Sequence, residues 1–130
     1  MTISRSDLCW LALPLLLGGC REEGVSVPSG RELSLIEIVT NAPGTEGAAA
    51  RFRFLAPGLA PEESEEAAGD MQALCDTFAH PRIDGMVPAP QQIIISWSGE
   101  AVPFGEAAPD VVQFFESYRV DNSACIWEPF

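Results

Sequence analysis

Short apolar runs separated by turn residues predict two strands near the start of the folded region. Residues 33–39 are apolar and rich in β-branched side chains, and residues 51–55 (RFRFL) alternate with a period of two. In the second strand the phenylalanines would face a core, and Arg51 and Arg53 would point to the opposite face. An Asn-Ala-Pro-Gly sequence at 41–44 has the residues of a type II turn. The two strands are therefore expected to form a hairpin with a long loop.

A helix is predicted over residues 61–78, where apolar residues recur with a period of 3.6. Pro61 fits the first turn, and the four glutamates that follow lie where the helix dipole favours anions. His80 precedes Pro81, and the residue before a proline avoids the helical region. The helix is therefore expected to end before His80. Its apolar stripe consists of Ala67, Met71, Leu74, Cys75 and Phe78.

The last third of the chain contains further apolar runs. Residues 93–97 (IIISW) are apolar on both faces, which predicts a central strand, and residues 101–104 could pair back on it. Residues 111–120 fit either a helix or a strand. A polar turn at 121–123, followed by the apolar run 124–127, favours a terminal β-hairpin and hence the strand.

These elements predict an α+β fold, a small antiparallel sheet with one main helix packed on one face, in the order β-β-α-β-β-β-β. The chain has 130 residues, of which 47% are hydrophobic, and this length accommodates a single domain. We expect this domain to occupy residues 32–130.

The N-terminus has the pattern of an export signal. The apolar run at 8–17 is too short to span a bilayer, and the Leu-Gly-Gly-Cys sequence that ends at Cys20 resembles the lipobox of bacterial lipoproteins. This resemblance implies a signal peptide over 1–19, a lipid on Cys20, and a tether over 20–31. It places the protein on the periplasmic side of the cell envelope, and Arg21 in place of aspartate favours the outer membrane. The alternatives are an ordinary cleaved signal and a cytoplasmic protein with an apolar N-terminus.

The cysteines agree with export. Cys9 would leave with the signal and Cys20 would carry the lipid, so that Cys75 and Cys125 remain. Two cysteines in an exported domain are expected to form one disulfide, here between the helix and the sheet. The alternative is a pair of buried free thiols, whereas two sulfurs with one histidine form no recognisable metal ligand set.

Charge and missing motifs exclude several classes of function. Arginine supplies all seven positive charges, there is no lysine, and the net charge is −12. Such an acidic chain is repelled by nucleic acid and by anionic lipid surfaces, so a lipid anchor would be its only contact with the membrane. Without lysine there is no Schiff-base nucleophile and no Walker-type phosphate site, and zinc-protease and serine-hydrolase motifs are absent. No cofactor and no metal are predicted.

Three basic residues are candidates for facing a ligand. Arg51 and Arg53 could bind an anion or pair with the chain's own carboxylates, and His80 is either a general base or a surface residue at the helix end. The leading hypothesis is a non-catalytic binding or accessory domain for an envelope protein or a small ligand. The alternatives are a small periplasmic hydrolase-like enzyme that uses carboxylates or His80, and a purely structural tether. The aromatic residues that could line a pocket or fill the core are Trp97, Tyr118 and Trp127.

Several stretches resemble one protein family. These are RFRFLAPGLAP, DMQALCDTFAHPRI, QQIIISW, VPFGEAAPDVVQFFESYR and ACIWEPF, which lie within residues 25–130. They resemble an uncharacterised family of small exported proteins from alphaproteobacteria of the Rhodobacterales type, a resemblance that implies a shared disulfide between Cys75 and Cys125. Some members carry the name acetolactate synthase. This chain does not support that name, because it is several times too short and its only Gly-Asp pair, Gly69-Asp70, lies inside the predicted helix.

Overall fold

A computed structural model, which describes residues 24–40 and 48–129, contains one six-stranded sheet. Strands that are neighbours in the chain are also neighbours in the sheet, in the order β1 to β6. The helical segment lies between the third and fourth strands. The strands are β1 (Gly24–Val25), β2 (Leu33–Thr40), β3 (Ala49–Leu55), β4 (Gln92–Ser98), β5 (Gln113–Val120) and β6 (Cys125–Glu128).

The predicted hairpins are confirmed. β2 pairs antiparallel with β3, and β5 pairs antiparallel with β6 around the predicted polar turn. Residues 113–120 are therefore a strand, which settles the ambiguity of that stretch. Residues 101–104, in contrast, form no strand. Pro103 has no backbone N–H to donate to a ladder, and the carbonyl of Val102 accepts a hydrogen bond from the side chain of Arg53 instead.

The sheet is mixed, and the prediction of a purely antiparallel sheet is wrong. β3 and β4 run parallel, with Ala50 opposite Ile93 and Phe54 opposite Trp97, while the other four strand pairs are antiparallel. The helical segment between them is the physical reason. A crossover of this length carries the chain back to the end at which the preceding strand began, and the next strand then runs in the same direction.

The helical segment is longer than predicted and continues through Pro81. It begins with a 3-10 turn at Pro61–Glu63, continues as the α-helix α1 (Ser64–Leu74), widens into a π-helical turn at Cys75–Ala79 and ends with His80–Arg82. A proline inside a regular α-helix clashes with the carbonyl four residues before it. The wider turn directly before Pro81 opens the helix at that carbonyl, which accounts for the continuation.

The core lies between the helical segment and one face of the sheet, which we call the helix face. Phe78 packs edge-to-face on Phe52 and Phe54, with ring centroids 6.3 and 5.7 Å apart. A disulfide joins Cys75 to Cys125 at the start of β6, with Cα atoms 6.1 Å apart, so the predicted link between helix and sheet is confirmed. The whole predicted apolar stripe of the helix is buried: Ala67, Met71, Leu74, Cys75 and Phe78.

The residues before β2 pack on the domain. β1 pairs with β2, Val27 is buried, and both the backbone N–H and the hydroxyl of Ser29 donate to the buried carboxylate of Asp70 on α1. The part of the predicted tether that the structure describes is therefore held against the sheet and the helix. The predicted signal peptide, the lipobox with Cys20 and the predicted turn at 41–44 lie outside the described residues.

No helix within residues 24–40 and 48–129 combines the length and apolar character needed to cross a membrane.

Candidate functional site

A cavity lies on the face of the sheet opposite the helical segment. The β4–β5 connection, residues 99–112, folds over this face, and we call the connection the capping loop and the face the loop face. The cavity between them has a volume of about 360 Å³, near the lower end of the range for small-molecule sites. Its polar lining consists of Arg51, Arg53, Ser96, Ser98, Gln113 and Glu106.

The strand register brings these polar residues together. Ser96 on β4 lies between Arg53 on β3 and Phe115 on β5. Arg51 lies opposite Ile94, two residues along β3 from Arg53, and therefore on the same face. The residues that alternate with these arginines and serines point to the helix face and are aromatic or branched. They are Phe52, Phe54, Ile93, Ile95 and Trp97. Alternation in the two central strands thus builds an apolar core on one face and a polar floor on the other.

Arg53 is held by the protein itself. Its guanidinium pairs with the carboxylate of Glu37 on β2 and also donates to the carbonyl of Val102 in the capping loop. Arg53 is only 7% exposed, whereas the side chain of Glu37 is exposed. Its positive charge is therefore compensated, and its second contact fixes the start of the capping loop over the sheet.

Arg51 lacks such compensation. Its Nε is buried and makes no hydrogen bond, and no carboxylate within the described ranges lies at ion-pair distance from it. Burial, and then the neighbouring Arg53 charge, hold the pKa of Arg51 below its usual value. Both causes penalise the charged guanidinium, which nevertheless remains protonated at neutral pH because its usual pKa is so high. An anion in the cavity would offset this penalty by its attraction to the guanidinium.

The lack of a carboxylate partner is unexpected, because carboxylates greatly outnumber arginines in the sequence and other described arginines have one. Arg31 lies 3.3 Å from a carboxylate oxygen of Glu63, and Arg119 lies 3.3 Å from one of Glu128. Arg51 has no such carboxylate partner among the described residues, although its strand lies in the middle of the sheet. The shortage of a partner is therefore a property of the cavity and not of the overall composition.

Further polar groups surround Arg51. The side chain of Ser98 donates to the backbone carbonyl of Glu100 and is thereby occupied. Ser96 is buried on the cavity floor, and Gln113 also lines the cavity. The hydroxyl of Ser96 and the side-chain amide of Gln113, together with Arg51, can donate hydrogen bonds to a molecule in the cavity.

Aromatic rings form much of the remaining lining. The ring of Phe104 in the capping loop lies over both guanidinium groups, with its centroid 5.4 Å from Cζ of Arg51 and 5.7 Å from Cζ of Arg53. Phe104 and Phe115 are 42% and 44% exposed, which is high for phenylalanine. The cavity therefore combines one uncompensated cation with apolar walls that remain open to solvent.

His80, the third predicted candidate, lies elsewhere. Its Nε2 is 2.6 Å from the carbonyl oxygen of Asp121 in the β5–β6 turn and must donate to it, because a carbonyl only accepts. This contact joins the end of the helical segment to the terminal hairpin. The structure thus brings Arg51 and Arg53 together in the cavity and leaves His80 outside its lining.

The other candidates have structural contacts. Trp97 and Tyr118 are buried in the core, whereas Trp127 is 54% exposed on the edge strand, where its Nε1 donates to Glu116. In the acidic run at 62–66, Glu63 accepts a hydrogen bond from the backbone N–H of Ala60 at the start of the helical segment. Across the described ranges, no three His, Cys, Asp or Glu side chains converge as a metal site would require.

Sequence reasoning found the two arginines but missed most of the cavity. Ser96 and Ser98 are two residues apart in an otherwise apolar strand, and this spacing alone places both on one face. That signal was available. Nothing in the sequence indicates that the capping loop folds back over the loop face, so the roles of Phe104 and Gln113 could not be predicted.

Comparison with known proteins gives a family and no assigned site. No curated protein and no solved structure matches this chain. The family model described as "Family of unknown function (DUF6497)" matches residues 13–130, and the chain therefore belongs to that family.

Proposed function

We propose that this protein is a non-catalytic binding domain of the cell envelope, and that it binds a small anionic ligand in the cavity under the capping loop. The observation that carries the proposal is Arg51, a partly buried arginine without a carboxylate partner in the described residues. Leaving a partly buried charge unpaired costs free energy, and a ligand of opposite charge offsets part of this cost. The domain needs no catalytic group for this role.

An envelope location is part of the same proposal. The lipobox-like sequence ending at Cys20 suggests export and lipidation, and the disulfide between Cys75 and Cys125 is a bond that persists in oxidising compartments. A domain held at the membrane by a lipid, with a preformed cavity, would serve as a receptor or accessory component for a small molecule or a partner protein.

Replacing Arg51 by glutamine is expected to weaken anion binding about ten- to hundredfold, because hydrogen bonds to a charged group contribute roughly 1.5–3 kcal/mol. The measurement is isothermal titration calorimetry of the full chain with acetate, inorganic phosphate and phenylacetate as three separate probes. Saturable binding of at least one of them that is lost in Arg51→Gln supports the proposal.

The matched control is Arg119→Gln, which removes the same charge from an exposed ion pair with Glu128 outside the cavity lining. Its binding should equal that of the unmodified protein. The proposal fails if none of the three probes binds, or if the two variants lose binding equally, since the effect would then be one of net charge alone.

The location is tested by intact mass measurement of the protein from the native membrane fraction, alkylated before and after reduction. We expect a chain that starts at Cys20 with a lipid-sized mass increment, and Cys75 and Cys125 alkylated only after reduction. A full-length, unlipidated chain with free thiols would contradict the envelope location.

A further inference from the structure

The charges around the cavity define the charge of the ligand. Arg53 is neutralised by Glu37, so Arg51 supplies the only uncompensated positive charge in the described lining. The one carboxylate in that lining is Glu106, which is exposed on the capping loop. A ligand with one negative charge matches Arg51, whereas the second charge of a dianion would find no cation and would be repelled by Glu106 and Glu37.

The donors around Arg51 suit a flat anionic group. The guanidinium is planar and presents its N–H groups as a fork, which matches the two oxygens of a carboxylate. Ser96 lies diagonally across the β3–β4 pair from Arg51, so its hydroxyl can supply an additional donor on the cavity floor. The head group that these donors fit is a carboxylate.

The rest of the ligand must suit apolar walls. The half-exposed rings of Phe104 and Phe115 and the side chains of Val102, Pro103 and Ile36 line the cavity. An apolar ligand body would remove this surface from water, which is favourable in proportion to the area covered. A small hydrophilic anion would leave the rings exposed and would gain only the contact with Arg51.

We infer that the cavity selects a monocarboxylate with a compact apolar body, such as a phenyl or short branched alkyl group. This inference rests on the proposed anion site and specifies its ligand class. The carboxylate lies against Arg51 and Ser96, and the apolar body lies between Phe104 and Phe115. Dianions of similar shape are disfavoured, because their second negative charge finds no cation. Neutral molecules of similar shape are disfavoured, because they leave Arg51 uncompensated.

The test is calorimetric titration of the full chain at about pH 9 with four matched probes. A phosphonate has a higher second pKa than a phosphate ester, whose value is about 6, and at this pH benzylphosphonate carries close to two charges. Phenylacetate carries both proposed features, acetate lacks the apolar body, phenylacetamide lacks the charge, and benzylphosphonate adds a charge. Phenylacetate is expected to bind at least about tenfold more tightly than each of the other three. Arg51→Gln should abolish the preference for phenylacetate over phenylacetamide, which depends on the charge of the ligand, and Arg119→Gln should retain it.

Each of the other outcomes contradicts either the proposed ligand class or the anion site itself. If acetate or benzylphosphonate binds as tightly as phenylacetate and the binding depends on Arg51, the ligand class is wrong while the anion site stands. If phenylacetamide binds as tightly as phenylacetate, or if nothing binds, the anion site itself fails. Phe115→Ala provides an independent check, because it removes a half-exposed ring that lies opposite Ser96 on β5, whereas the ring over Arg51 is that of Phe104. It should weaken phenylacetate severalfold and leave acetate unchanged, and equal effects on both would exclude the proposed place of the apolar body.

Discussion

Replacing Cys75 and Cys125 together by alanine is expected to lower the free energy of unfolding by about 4 kcal/mol. The two residues are 50 positions apart. Closing a loop of this length lowers the conformational entropy of the unfolded chain, which raises its free energy by about 4 kcal/mol. Small domains have a total stability of only about 5–15 kcal/mol. The double variant should therefore lie close to the limit at which the domain remains folded.

The loss should be measured by urea denaturation followed by tryptophan fluorescence, since Trp97 is buried in the core and changes environment on unfolding. A reductant should destabilise the unmodified protein by a similar amount and leave the double variant unchanged, which serves as the control. A loss below about 1 kcal/mol, outside the usual effect of removing a native disulfide, would contradict the prediction.

The disulfide should also contribute more to the local stability of β6 than to that of the rest of the sheet. This edge strand has only four residues, and besides its pairing with β5 it is joined to the helical segment by two hydrogen bonds at Cys125. Gln72 donates to the carbonyl of Cys125 over 2.9 Å, and the N–H of Cys125 donates to Asp76 over 2.8 Å. After reduction, amide exchange should rise first in β6, because a short edge strand is the least cooperative part of a sheet.

Elements whose signal is local were predicted well. The strand formed by RFRFL, the apolar stripe of the helix and the terminal hairpin each depend on the period of their own residues, and all are confirmed. The resemblance to an uncharacterised family is confirmed at that level, since the matching family model is one of unknown function. These features require no knowledge of how distant segments pack.

The incorrect predictions concern features that are determined by tertiary packing and not by the local residue pattern. The run IIISW is apolar on both faces, which is typical of parallel strands, yet the sheet was predicted to be antiparallel. The helix was expected to end before His80, because a regular α-helix cannot accommodate Pro81, and the π-helical turn is not visible in the residue pattern. The cavity depends on the fold of the capping loop, which has no period of its own.

Tyr118 is expected to make the domain sensitive to alkaline pH. Burial, and then the negative charges of Glu116 and Asp76, raise the pKa of its phenol above the usual value near 10. The hydroxyl is buried without a hydrogen-bond partner in the described residues, so an ionised oxygen would have nothing to stabilise it. The folded protein therefore keeps the proton at a pH at which the unfolded chain releases it.

Because of this difference, the free energy of unfolding falls as the pH rises above the ordinary pKa of tyrosine. Below about pH 10 both states hold the proton, and the stability is independent of this group. Above that pH the unfolded state releases it, and the free energy of unfolding falls by about 1.4 kcal/mol per pH unit until the folded phenol also ionises. The chain has one tyrosine and no lysine, so no other tyrosine or lysine contributes to the slope in this range.

Tyr118→Phe isolates the effect. The variant should be at least as stable as the unmodified protein near neutral pH, because it removes a buried hydroxyl that lacks a partner. Between about pH 9 and 11.5 its stability should stay nearly constant while that of the unmodified protein falls. Urea denaturation at a series of pH values, with the disulfide intact, measures both curves. Parallel curves would mean that the phenol ionises equally in the folded and unfolded states, and would exclude Tyr118 as the source of alkaline instability.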